Sequence, residues 1–176
     1  MKQILTRNHE KVLFAATAVV ALLFTSCGPT QDDAIKYNDK IVDLSDNVND
    51  MSDKMADQLD GHNLDTLKIT YTKFAASIKS ALAECEKMGP LEEEDKAYHE
   101  ATLAHFRNMN KLVDGEVKRI VDATVKFSNS DVEATDEEIA ALEKDINTYD
   151  TESQKTMDGL KAAQRVFSKK WNFDLR

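Results

Sequence analysis

Cysteine, proline and glycine are all scarce in this chain: 176 residues hold two, two and five of them. Two cysteines exclude a disulfide-stapled scaffold, and no C-x-x-C pair is present for zinc or redox chemistry. So few glycines and prolines supply too few tight turns for a strand-rich protein, which favours long helices. Also missing is an apolar run of the roughly 20 residues that a membrane-spanning helix needs. Positive charge is in deficit, with 23 bases against 32 acids and a net charge of −9. Such a surface repels phosphate backbones, so nucleic acid is not an expected partner.

What is present begins with a short apolar run in a particular setting. Lys2, Arg7 and Lys11 form a positive start, and Val12 to Phe24 follows without a charge. A positive n-region before an apolar stretch too short to span a bilayer is the pattern of a secretion signal. Phe24-Thr25-Ser26-Cys27 closes it. This resembles the lipobox of bacterial lipoproteins, in which small residues precede a cysteine that takes a diacylglycerol, although Phe24 replaces the usual leucine. Cysteine suits that chemistry because its thiolate is the nucleophile that forms the thioether. Each buried CH₂ contributes about 0.8 kcal/mol, so two or three acyl chains give a lasting anchor.

The expected organisation is a signal peptide over 1–26, a lipidated tether over 27–32 starting at Cys27, and a folded domain over 33–176. The removed segment carries three bases against Glu10, which leaves 31 acids and 20 bases, net −11, in the mature chain. Gly28 stands after the cysteine, where an aspartate would suggest retention at the inner membrane, so an outer-membrane location is expected. Gln31-Asp32-Asp33 resembles acidic tracts that direct lipoproteins to the cell surface, which tips the expectation toward the outward face. The same two aspartates would equally suit the first turn of a helix.

Apolar spacing lays out four helices. Ala34, Tyr37, Ile41, Leu44, Val48, Met51 and Met55 step by three and four, one stripe on a helix of about 33–59. Leu67, Tyr71, Phe74, Ile78, Ala81, Cys85 and Met88 form the second stripe. Cys85 there reads as a small buried hydrophobe. Met88-Gly89-Pro90 ends that helix, and Pro90 suits the first turn of a third, with Glu92, Glu93 and Glu94 near its positive end. The third stripe is Tyr98, Leu103, Phe106, Met109, Val113, Val117, Ile120, Thr124 and Phe127, with Gly115 marking a close crossing or a bend. After a polar loop, Thr135-Asp136-Glu137-Glu138 fits a capping box. The fourth stripe is Ile139, Leu142, Ile146, Tyr149, Ser153, Leu160, Ala163 and Phe167. An all-α, up-down-up-down four-helix bundle buries four such stripes most simply, with Trp171 and Phe173 covering one end.

Chemistry-bearing constellations are few. The Glu-x-x-His pairs of di-iron bundles are absent, since Leu59, Lys96 and Thr102 stand three before His62, His99 and His105. His99 and His105 are six apart, about 240° around a helix, so their rings cannot share a metal; they read as satisfied, partly exposed histidines. No metal ligands, cofactor or catalytic residues are assigned, and an enzyme is not expected.

The remaining oddity is a row of aspartates, Asp39, Asp43, Asp46, Asp50, Asp53, Asp57 and Asp60, stepping by four and three opposite the first stripe. Like charges at this spacing cost roughly 0.2–0.5 kcal/mol per pair. The expected role is a solvated face; Asp43, Asp46, Asp50, Asp53 and Asp57 are the candidates for a weak cation or partner surface. A calcium site needs six to eight converging oxygens, which a straight ridge does not offer.

Tyr37-Asn38-Asp39 and the ending Ala162-Ala163-Gln164-Arg165-Val166-Phe167-Ser168-Lys169-Lys170, with Asn172-Phe173 and Leu175, resemble a family of small all-helical bacterial surface lipoproteins with no known activity. The resemblance implies a Gram-negative envelope lipoprotein and transfers no site residue; Trp171 departs from its pattern. The expected function is that of a lipid-anchored, non-enzymatic envelope protein, bound to membrane through its lipid and to an unidentified envelope protein. The alternative is a ligand- or metal-binding bundle with a cavity between its helices.

Overall fold

Unbroken three-four stripes set the first two helices, and a computed structural model shows where they lead. It describes residues 28–60, 64–128 and 133–175. The expected signal segment and Cys27 lie outside the described residues. The chain is all-helical there: α1 Gln31–Asp60, α2 Leu64–Met88, α3 and α4 Asp136–Lys170. Helix α3 runs through Lys96–Leu112, a π turn at Val113–Val117 and Lys118–Ser128 without leaving helical dihedrals at the joins. Gln31–Arg176 forms one compact unit, a helical bundle in which each helix packs on the next in sequence.

The stripes of α1 and α2 are the core. Ala34, Tyr37, Ile41, Leu44, Val48 and Met55 are buried, as are Leu67, Phe74, Ile78, Ala81 and Cys85. Met51, Tyr71 and Met88 are half-buried at their margins. Asp32 and Asp33 stand in the first turn of α1, where the helix dipole favours carboxylates.

Helix α3 starts later than its sequence suggests. Pro90 and Glu92 lie outside it, and Glu93 and Glu94 belong to a 3₁₀ turn, Glu93–Asp95. Glu92 is extended (φ −146°, ψ 172°) and the chain turns sharply before Lys96. The cause is Asp95, whose side chain is drawn inward to meet Lys170 and Trp171. Gly89 makes the preceding turn possible, because its φ of +65° is strained for any residue with a Cβ.

Gly115 is not a close crossing. A Cβ there would meet only the Arg119 side chain, at 3.8 Å. It sits instead in the π turn, whose wider winding shifts the buried face of α3. Val113 and Val117 both stay buried, and Leu112 and Val121 join the core beside them.

At both ends of α4 the local sequence chooses the boundary. The Thr135 hydroxyl accepts from the Glu138 N–H (3.3 Å), and the Glu138 carboxylate accepts from the Thr135 N–H (3.0 Å), which is the expected capping box. The C-terminus is a Schellman turn. Asn172 takes φ 53°, and the Phe173 N–H donates to the Ser168 carbonyl at 3.1 Å. Asparagine is among the few residues with a Cβ that tolerate this conformation. Phe173 then stacks edge-on against Phe167 with ring centroids 5.9 Å apart, the apolar contact that usually seals such a turn.

Candidate functional site

Two ends of the bundle differ, and the difference starts from how α4 is held. At its C-terminal end α4 closes against α1. Phe167 sits among Tyr37, Tyr98, Trp171 and Phe173. Asn38 accepts from both the Tyr98 hydroxyl (3.1 Å) and the Gln164 amide (2.8 Å). Buried Asp95 accepts from Lys170 (2.7 Å) and from the Trp171 indole (3.1 Å). Among the described residues no buried side-chain polar atom lacks a partner. Phe167, Trp171 and Phe173 of the chain's ending thus form a filled, hydrogen-bonded plug with Tyr37 and Tyr98.

The N-terminal half of α4 is fixed to α3 instead. Arg119 grips Asp145 with two hydrogen bonds, at 2.8 and 2.7 Å, and Lys126 pairs with Glu138. The guanidinium holds the Asp145 carboxyl below the usual carboxylate range. On the other side, Ser52 of α1 meets Tyr149 of α4 hydroxyl to hydroxyl at 2.9 Å. Beyond that bond the two helices leave an open cleft of about 400 Å³. Phe74, Val117 and Ile120 floor it; Ala56 and Leu59 form one wall, and Leu142 and Ile146 the other.

This corrects the fourth stripe. Ile139 and Ile146 were expected inside and are 44% and 41% exposed. Of the apolar stripe on α4, Leu160 and Phe167 are fully buried. The spacing correctly marks one apolar face, but a face is buried only where a neighbour covers it, and beyond the Ser52–Tyr149 bond α1 leaves this half open.

The histidines also differ from expectation. His99 and His105 are buried, not partly exposed. Both are satisfied: His99 Nδ1 lies 2.9 Å from the Tyr37 hydroxyl, and His105 Nδ1 lies 3.2 Å from that of Thr156. Burial holds His99 below its ordinary pKa and pushes His105 down to about 4. Both are neutral parts of the core at neutral pH. Cys85 is likewise buried, its thiol pushed up to about 11 by desolvation.

Asp43, Asp46, Asp50, Asp53 and Asp57 are all exposed along the outer face of α1. Among the described residues no group of three or more histidine, cysteine or acidic side chains converges as a metal site would require. If the ridge is only a solvated face, its like charges repel and their removal relieves the fold. Asp46→Asn/Asp50→Asn/Asp53→Asn should leave the protein as stable as its parent or slightly more so in low salt. Calcium should raise its melting temperature no more than sodium chloride at matched ionic strength. A calcium-specific shift lost in the triple variant would identify a cation site.

Sequence reading held a cavity between helices only as the alternative and did not place this cleft. Its signal was the pair of small residues, Ser52 and Ala56, one step around α1 from the apolar stripe. Both line the cleft together with Ile146. Chemically the cleft offers apolar walls, one hydroxyl pair and the Asp150 carboxylate at its edge. Burial raises the Tyr149 hydroxyl pKa, so that group stays protonated. These are the attributes of a binding surface. Compared with family models, with curated proteins and with solved structures, the chain finds no match.

Proposed function

We propose that this protein is a lipid-anchored envelope protein: an up-down-up-down four-helix bundle, tethered through Cys27 to the outer membrane and acting by binding, not by catalysis. The observation that carries the reading is the run from Lys2 to Cys27, a positive start, a thirteen-residue apolar stretch and a lipobox-like close. Support comes from the position of the fold. Helix α1 opens at Gln31, only Gly28, Pro29 and Thr30 beyond the cysteine. A secretion signal must be separable from the domain it exports, and the helical unit of Gln31–Arg176 has its own core.

The up-down arrangement is supported by helices that pack in sequence order through short connections. The cell-surface face is favoured by Gln31-Asp32-Asp33. Protease added to intact cells should degrade the protein, and Asp32→Ala/Asp33→Ala should protect it. Protection of the unmutated protein would instead place it on the periplasmic face. The open cleft favours a binding role over that of an inert spacer, because a spacer gains nothing from leaving Ile146 and the apolar walls beside it open to water.

A further inference from the structure

From the cleft, and resting on the lipid-anchored reading, we infer that the partner of this protein is a basic amphipathic helix, which lays its apolar face between α1 and α4. The cleft has the dimensions for it. Ser52 to Leu59 along α1 and Leu142 to Asp150 along α4 each cover about 10–12 Å, two helical turns. A bound helix presents apolar residues at i, i+3 or i+4 and i+7 over that same distance. Apolar walls need apolar anchors, and the exposed Ile146 is the natural first contact.

Charge selects among the possible occupants. The aspartate ridge runs along the outer side of α1, with Asp53 and Asp57 next in helical order to Ala56, and Asp150 edges the opposite wall. A helix whose polar face carries lysine or arginine meets carboxylates on both sides. A second copy of this chain would bring its own net −11 against the first. Acyl chains of the anchoring membrane match less well, because they carry no cation to meet the Asp150 carboxylate at the cleft. The tether from Cys27 to Gln31 spans at most about 14 Å, so it holds the N-terminus of α1 near the bilayer. The cleft lies about 38 Å further along that helix.

The test uses the full chain, purified from membranes and placed in nanodiscs of zwitterionic phosphatidylcholine, with empty discs as background. The probe is a fluorescein-labelled helix about four turns long, with leucine at i, i+3, i+4 and i+7 positions and lysine elsewhere. Saturable binding above background is expected. It should weaken roughly tenfold or more in Ile146→Asp, and equally in Ala56→Phe, which fills the cleft without adding charge. Both positions are exposed, and unchanged far-UV circular dichroism confirms the fold. The same helix with glutamate for lysine should not bind, and Asp53→Asn/Asp57→Asn/Asp150→Asn should flatten the salt dependence. Binding by both cleft variants as tight as the parent's, or binding by the glutamate helix, would overturn the inference. So would a dimer by sedimentation that Ile146→Asp dissolves, or saturable uptake of a free fatty acid in place of the helix. Failure here with Cys27 still lipidated removes only the partner, whereas loss of lipidation removes the anchored reading whatever the helix does.

Discussion

Replacing Phe167 with alanine should cost about 3–5 kcal/mol, enough to lower the melting temperature by roughly 10 °C or more. The side chain is 2% exposed and touches four other aromatic rings. Its removal withdraws the floor of the Schellman turn, against which Phe173 packs, and leaves a hole the rigid Tyr37 and Tyr98 cannot close. Their hydroxyls are already committed, Tyr37 to the Gly89 carbonyl and Tyr98 to Asn38. The neighbouring Val166, 72% exposed, is the internal control, and Val166→Ala should change stability by less than about 0.5 kcal/mol. Denaturant unfolding of both variants decides the matter. A loss below about 1 kcal/mol for Phe167→Ala would mean that this end of the bundle is not the packed plug described.

Acid should weaken the fold in a defined window. His105 has a folded pKa of about 4, against an ordinary value of 6.5, and desolvation is the cause. Its ring faces Thr156 of α4 and the Phe106 ring, with no charged group to support a proton. Between pH 6.5 and pH 4 the unfolded chain takes up a proton that the folded one refuses. Stability is therefore complete above pH 6.5, falls as the pH drops toward 4, and is flat in this respect below it. The full difference is on the order of 3 kcal/mol. His99, also held down by burial, adds in the same direction. Leucine at position 105 should remove the larger share. At pH 7 His105→Leu should lie within about 1 kcal/mol of the parent, because the Thr156 hydroxyl keeps its bonds to the Glu152 and Ser153 carbonyls. At pH 5 it should be relatively more stable by about 2 kcal/mol. An unchanged pH slope in the variant would show that His105 is protonated inside the fold.

Helices α1 and α2 were legible because their periodicity is clean and their neighbours cover them along most of their length. Residues such as Ile41 and Phe74 appear at the positions their spacing assigns. The capping box at Thr135 was legible for a different reason: its hydrogen bonds join residues three apart and need no tertiary partner. Where the outcome depended on a distant residue, spacing alone failed. Asp95 looks like one more acid in an exposed run until Lys170 and Trp171 arrive from the far end of the chain. His99 and His105 are polar by type, yet Tyr37 and Thr156 make their burial tolerable. Ile139 and Ile146 read as core because a stripe says which face is apolar and not whether a helix stands opposite. The place of the cleft was not legible for the same reason, since it opens where α1 and one half of α4 stand apart beyond the Ser52–Tyr149 bond.

The anchor is the claim on which the functional account turns, and palmitate labelling tests it most directly. Cells expressing the full chain and its Cys27→Ala variant are grown with labelled palmitate, and the protein is recovered and counted. The parent should carry label on a product shortened by 26 residues, while the variant should carry none and retain its signal segment. Undiminished label in Cys27→Ala, or an unlabelled parent, would contradict the account.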